Sequence, residues 1–131
     1  MDEVDRKILA ILKKDGKMPF VEIADSIGMT EGAVRIRIGK LVKDKVIKKF
    51  TIETTEEIKS IVFVNTSSSI PTTEVAKRIR ELHVEDVYEV SGDYDIICLV
   101  KAADIHETNR IVENIRKIKG VLQTNTCMVL K

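Results

Sequence analysis

Within residues 28–50 seven basic side chains, Arg35, Arg37, Lys40, Lys43, Lys45, Lys48 and Lys49, stand against two acidic ones, Glu31 and Asp44. This is a local excess of positive charge in a chain whose formal net charge is only +1. Guanidinium and ammonium groups are donors without acceptors, so they take anions; arginine offers its donors as a planar fork that fits a phosphate or the O6/N7 edge of guanine. Residues 59–131 hold ten basic and ten acidic side chains and are neutral. A positive footprint confined to one short segment points to a localised phosphate-binding face and argues against a generally basic binder.

The segments around that footprint say how it is held. Val4, Ile8, Ile11 and Leu12 recur at helical spacing and stop at Asp15 and Gly16. After Pro19, suited to a first helical turn, Phe20, Ile23, Ala24 and Ile27 repeat the spacing up to Gly28. Thr30 is an N-cap for a third helix over residues 31–42, in which Val34, Ile38 and Leu41 form the buried stripe and Arg35, Arg37 and Lys40 point away from it. Three short helices with the Gly28-Met29-Thr30 turn before the third meet the spacing of a helix-turn-helix, whose second helix enters the major groove of DNA. The expected DNA-contacting set is Thr30, Glu31, Gly32, Arg35, Arg37, Lys40, Lys43, Lys48 and Lys49, with Arg35, Arg37 and Lys40 on base edges or phosphates and the later lysines on phosphates. Gly32 and Gly39 each cost the helix about 1 kcal/mol relative to Ala. Gly32 either admits the backbone close to DNA or is a simple local weakness. Val46, Phe50 and Ile52 alternate with Lys48, Lys49 and Thr51, which reads as a short extended wing, and a polar joint at residues 54–57 follows. A domain boundary is expected near residue 57, giving 1–57 and 58–131.

The second half alternates periods in the order βαββαβ: strand 60–66, helix 72–82, strands 85–91 and 96–102, helix 105–118 and strand 121–130. Gly92 and Asp93 punctuate a hairpin, Asp104 can cap the second helix and Gly120 can end it. Val75, Ile79 and Leu82 on one helix, and Ile111, Ile115 and Ile118 on the other, are apolar stripes. This order predicts an α+β ferredoxin-like sandwich with both helices on one sheet face. Val87, Glu89 and Ser91 suggest a partly polar outer face, but Ile61, Phe63, Ile97, Leu99 and Val129 leave apolar surface for another subunit to cover.

With 44% hydrophobic and 33% charged residues the chain is expected to be globular, and two domains of this size are individually marginal, which again favours self-association. No apolar run can cross a bilayer and the N-terminus lacks a secretory layout, so a cytoplasmic location is expected. Cys98 and Cys127 lie far apart in apolar alternating segments and read as reduced core residues; no metal site is expected. His83 and His106 are isolated and read as surface or packing residues. Without a nucleophile–base pair, phosphate loop or cofactor motif, an enzyme is disfavoured and no catalytic residue is assigned. An architectural protein that compacts DNA without reading a site is the competing reading, disfavoured by the modest charge.

DEVDRKIL, then PFVEIADSIGMTEGAVRIRIGKL, then VIKKF resembles the N-terminal half of the leucine-responsive regulator/AsnC (Lrp/AsnC, feast/famine) family, and VYEVSGDYDIICLV with GVLQTNTCMVL resembles its effector-sensing half. The resemblance covers essentially the whole chain. It implies a transcription regulator with a winged helix-turn-helix and a RAM-type ferredoxin-like domain, homodimers joined through the sheet face, further assembly such as an octamer, and an amino-acid effector in place of any cofactor. Position by position it places the effector at Gly92, Asp93, Tyr94 and Asp95 and at Thr124, Asn125 and Thr126. The chemistry suits an amino acid: Asp93 or Asp95 for the ammonium, backbone N–H groups around Gly92 and the hydroxyls of Thr124 and Thr126 for the carboxylate, Tyr94 as an apolar wall. Alternatively, GDYD is a plain hairpin with solvated aspartates and the threonines are ordinary strand residues.

Overall fold

Three helices in succession build the N-terminal unit, Met1–Glu53, and a four-stranded sheet with two helices builds the second, Thr54–Lys131; the computed structural model describes residues 1–131. Helix α1 (Glu3–Lys14) starts at a capping box in which Asp2 and Asp5 each accept the other's backbone N–H, at 2.9 and 3.1 Å. Helix α2 (Phe20–Ile27) follows Pro19 and ends on Gly28, whose φ of +71° suits the left-handed cap. Thr30 accepts the Ala33 N–H and opens α3 (Glu31–Lys43). Ile8, Ile23, Ala24, Val34 and Ile38 form the buried centre, flanked by Val4, Ile11, Leu12, Phe20, Ile27 and Ile47.

The expected wing does not form a strand. Lys45 takes φ +59°, and the N–H groups of Val46 and Ile47 both return to the Leu41 carbonyl, which closes α3. Beyond this turn only Ile47 packs on the core, while Phe50 and Ile52 are exposed. The chain supplies this segment with no neighbouring strand, and alternation without a ladder does not make a sheet.

In the second unit β1 (Ile58–Thr66), α4 (Thr72–Arg80), β2 (Asp86–Glu89), β3 (Ile96–Ala102), α5 (Ile105–Arg116) and β4 (Val121–Met128) realise the βαββαβ order. The sheet order is β2-β3-β1-β4, all antiparallel. Val62, Val64, Ile96, Cys98 and Val100 from the sheet close on Val75, Ala76 and Ile79 of α4 and Ile115 of α5, so both helices share one sheet face. Asp104 caps α5 by accepting the Glu107 N–H at 2.8 Å. Gly120 has φ +104°, and a Cβ there would lie 2.9 Å from Val75 Cγ2, so the turn into β4 requires glycine twice over.

β2 is shorter than the expected 85–91 because its partner strand turns away: Val90 N–H bonds the Asp95 carbonyl, whereas Asp95 N–H bonds Val64 of β1. Val87 faces the helices rather than the outer side, which on β2 carries Asp86 and Tyr88. Two cross-strand rows fill the centre of the outer face, Tyr88–Ile97–Phe63–Asn125 and Asp86–Leu99–Ile61–Cys127. Cys127 therefore departs from expectation: β4 is an edge strand and its thiol is exposed, while Cys98 is buried, which pushes its thiol up to about 12. No helix is long and apolar enough to cross a membrane.

Candidate DNA interface and effector face

The free side of α3 follows from its buried side. With Val34, Ile38 and Leu41 turned inward, Glu31, Gly32, Arg35, Ile36, Gly39, Lys40 and Lys43 are exposed. Arg35 bonds Glu31 one turn back at 2.8 Å, and its guanidinium carbon lies 5.0 Å from the centre of the Phe20 ring. Both contacts are at the surface, where an exposed i,i+4 pair contributes only a few tenths of a kcal/mol, so Arg35 can exchange them for a phosphate or a base edge. Lys40 and Lys43 make no ion pair within the chain and project from the same side; Lys48 is exposed on the segment beyond α3, as is Lys49. Thr30 spends its hydroxyl oxygen on the helix cap, so what it contributes is the start of the helix.

Arg37 is placed differently from expectation. Its Nη1 donates to both oxygens of Asp2, at 2.9 and 2.7 Å, and to Asp5 Oδ1 at 3.2 Å. The guanidinium holds the Asp2 carboxyl down at about 2, helped by the Asp5 backbone N–H, and the carboxylates in turn raise the Arg37 pKa. Held by two carboxylates through Nη1, Arg37 ties α3 to the start of α1, and only its remaining N–H groups can face DNA. Helical spacing set Arg37 beside Arg35 and gave no hint of partners more than thirty positions away. The D-x-x-D start of α1 was the readable signal, since a capping box fixes both carboxylates at one helix end.

The residues that resemblance gathers around an effector are partly separated. Tyr94 stacks at 4.7 Å, tilted by 39°, against Phe63 on the outer face, and Asn125 Nδ2 lies 3.5 Å from the Tyr94 hydroxyl. Gly92 and Asp93 form the exposed tip of the same loop, Gly92 at φ +124°. Asp95 instead accepts the Thr66 N–H at 2.8 Å, which ties the loop to β1. Thr124 and Thr126 pair with Val64 and Val62, whose side chains face the helices, so their hydroxyls lie on the sheet face opposite Asn125. Within one chain Gly92, Asp93, Tyr94 and Asn125 form one neighbourhood, Asp95 anchors it, and Thr124 and Thr126 lie outside it. Phe63 is the member that sequence reasoning left out of the site, although β1 alternation already set it outward.

Two family models match the chain in succession. The family model of the AsnC-type helix-turn-helix domain matches residues 1–42, and that of the Lrp/AsnC ligand binding domain matches residues 59–131. The HTH-type transcriptional regulator LysM of Sulfurisphaera tokodaii is 46% identical over 134 residues, covering 100% of this chain and 96% of the relative. Among solved structures, MtbAldR superposes with a TM-score of 0.81 at 27% identity, over 100% of this chain and 95% of its own. A feast or famine regulatory protein from M. tuberculosis, complexed with L-methionine, has the same fold, with a TM-score of 0.82 at 23% identity over 99% of this chain and 92% of its own. The chain is a member of the Lrp/AsnC family of transcriptional regulators, with an AsnC-type helix-turn-helix followed by an Lrp/AsnC ligand-binding domain.

Proposed function

We propose that this regulator recognises operator DNA through α3 and changes its assembly or DNA binding when an amino acid occupies the outer sheet face beside the Gly92-to-Asp95 loop. The observation that carries the reading is the joint match of a helix-turn-helix and a ligand-binding domain over a chain whose exposed positive charge is concentrated on and just beyond α3. Arg35 and Lys40 face the groove, Lys43, Lys48 and Lys49 neutralise phosphates, and Gly32 keeps the helix slim where it meets DNA. Asp93 pairs with the effector ammonium; the backbone N–H groups of the loop and the Asn125 amide receive its carboxylate; Phe63 and Tyr94 form the apolar wall. The L-methionine complex of the related fold supports an amino acid as the ligand class. The apolar rows of the outer face favour a homodimer joined there, with higher assembly such as an octamer built from dimers.

The test is light scattering together with duplex-binding titration across the twenty amino acids. One of them is expected to shift the oligomer mass or the DNA affinity at fixed salt, because linkage requires that an effector bind one state better than the other. Affinity, salt dependence and mass unchanged by all twenty would overturn the effector reading, and similar affinity for a selected and a random duplex would make the chain an architectural DNA binder.

A further inference from the structure

Near the middle of the free side of α3 stands a residue that none of the assignments above uses. Ile36 is 75% exposed, the largest exposure of any large apolar side chain within the three helices. It points nearly opposite the buried Val34 and Ile38. Its neighbours one turn to either side along the free face are Gly32 and Gly39, and a Cβ built on either meets nothing within 4 Å. Packing therefore asks for glycine at neither position, and each costs helix stability relative to Ala. What the two glycines produce is an Ile36 side chain with no bulky neighbour on the next turn at 32 or 39; Arg35, Lys40 and Lys43 on the same side are cations suited to a polyanion, while Met1, Asp2 and Asp44 line the depression at its other flank. An apolar β-branched group on a helix that enters the major groove has one apolar feature to meet there, the C5-methyl of thymine.

Resting on the reading of α3 as the DNA-contacting helix, we infer that Ile36 is a specificity-determining residue that selects thymine by packing on its methyl group. The surrounding charges choose DNA over an apolar protein partner, because docking an apolar surface there would desolvate Lys40 and Lys43 without pairing them. Removing one buried methyl group corresponds to about a fourfold loss of affinity.

The experiment selects a preferred duplex from a randomised pool with the full chain, then replaces each thymine in turn by deoxyuridine, which keeps the base pair and deletes only the methyl. Wild-type protein is expected to lose about fourfold at one or two thymines and nothing elsewhere. The Ile36→Ala protein should bind the thymine and uracil duplexes equally at those positions, with unchanged oligomer mass, and Ile36→Val should restore part of the discrimination. A selected duplex whose binding ignores every uracil replacement overturns this inference while leaving the DNA-binding reading intact. Failure to select any duplex overturns both. A lower oligomer mass for Ile36→Ala would make Ile36 a subunit contact and also overturn it.

Discussion

Arg37 shows how far a single side chain's role depends on partners that its neighbours in sequence do not reveal. Its charge and spacing match Arg35, but Asp2 and Asp5 reach it from the start of α1 and take up the donors of its Nη1. The linkage has a definite sign. Asp2 is lowered from 3.8 to about 2, chiefly by the Arg37 hydrogen bond, so its contribution to stability is present above its ordinary range and is lost as pH falls through about 2. Arg37→Met is therefore expected to lower the melting temperature of the helix-turn-helix unit at neutral pH. The difference from wild type should shrink as the pH is taken from about 4 toward 2. Circular dichroism melts across that range check it. A deficit that stays constant with pH would mean that the methylene stem of Arg37, not its charge, holds the helices together. At the same scale the identity of the basic segment was plain in the sequence, whereas the split between clamp and free cation needed the tertiary fold.

Elements were more legible than residues. Apolar spacing located all five helices and four strands, and caps such as Thr30 and Asp104 were identifiable because a side chain acts there on its own backbone three positions on. What spacing did not carry was membership of a sheet. Residues 46–52 alternate as well as β1 does, yet lack a neighbour to bond with, and β4 alternates without indicating that it would be an edge. Alternation does separate the two faces of β4 once register is known. Asn125 pairs with Phe63 and shares its outer side, while Thr126 pairs with the buried Val62. Asn125→Ala is accordingly expected to weaken amino-acid binding about tenfold, the loss of one hydrogen bond to a charged group. Thr126→Val should leave binding within about twofold. Isothermal titration of the two variants with the amino acid that shifts the wild type checks the pair, and the reverse ranking would move the ligand to the helix side of the sheet.

For the molecule as a whole, the apolar outer sheet face is the surface a second copy would cover, and the chain carries a reporter for it. Cys127 stands in the row with Ile61 and Leu99, exposed in the single chain, whereas Cys98 lies in the core with its thiol pushed up to about 12. Thiolate is the reactive form, so native Cys98 should resist a disulfide reagent at pH 8 and react only on unfolding. Cys127 then reports on its surroundings alone. If a second copy covers this face, Cys127 should label rapidly at dilutions where the chain is monomeric and at least tenfold more slowly at concentrations where light scattering finds a dimer. Cys127→Ser should abolish the fast phase without altering the mass. Labelling that is equally fast in monomer and dimer would move the subunit contact off the outer face and leave the Tyr94–Asn125 neighbourhood open to solvent in the assembly. An effector there would then be bound by one chain. Protection in the dimer would instead put the ligand neighbourhood beside the subunit contact, where occupancy by an amino acid can favour one assembly over another.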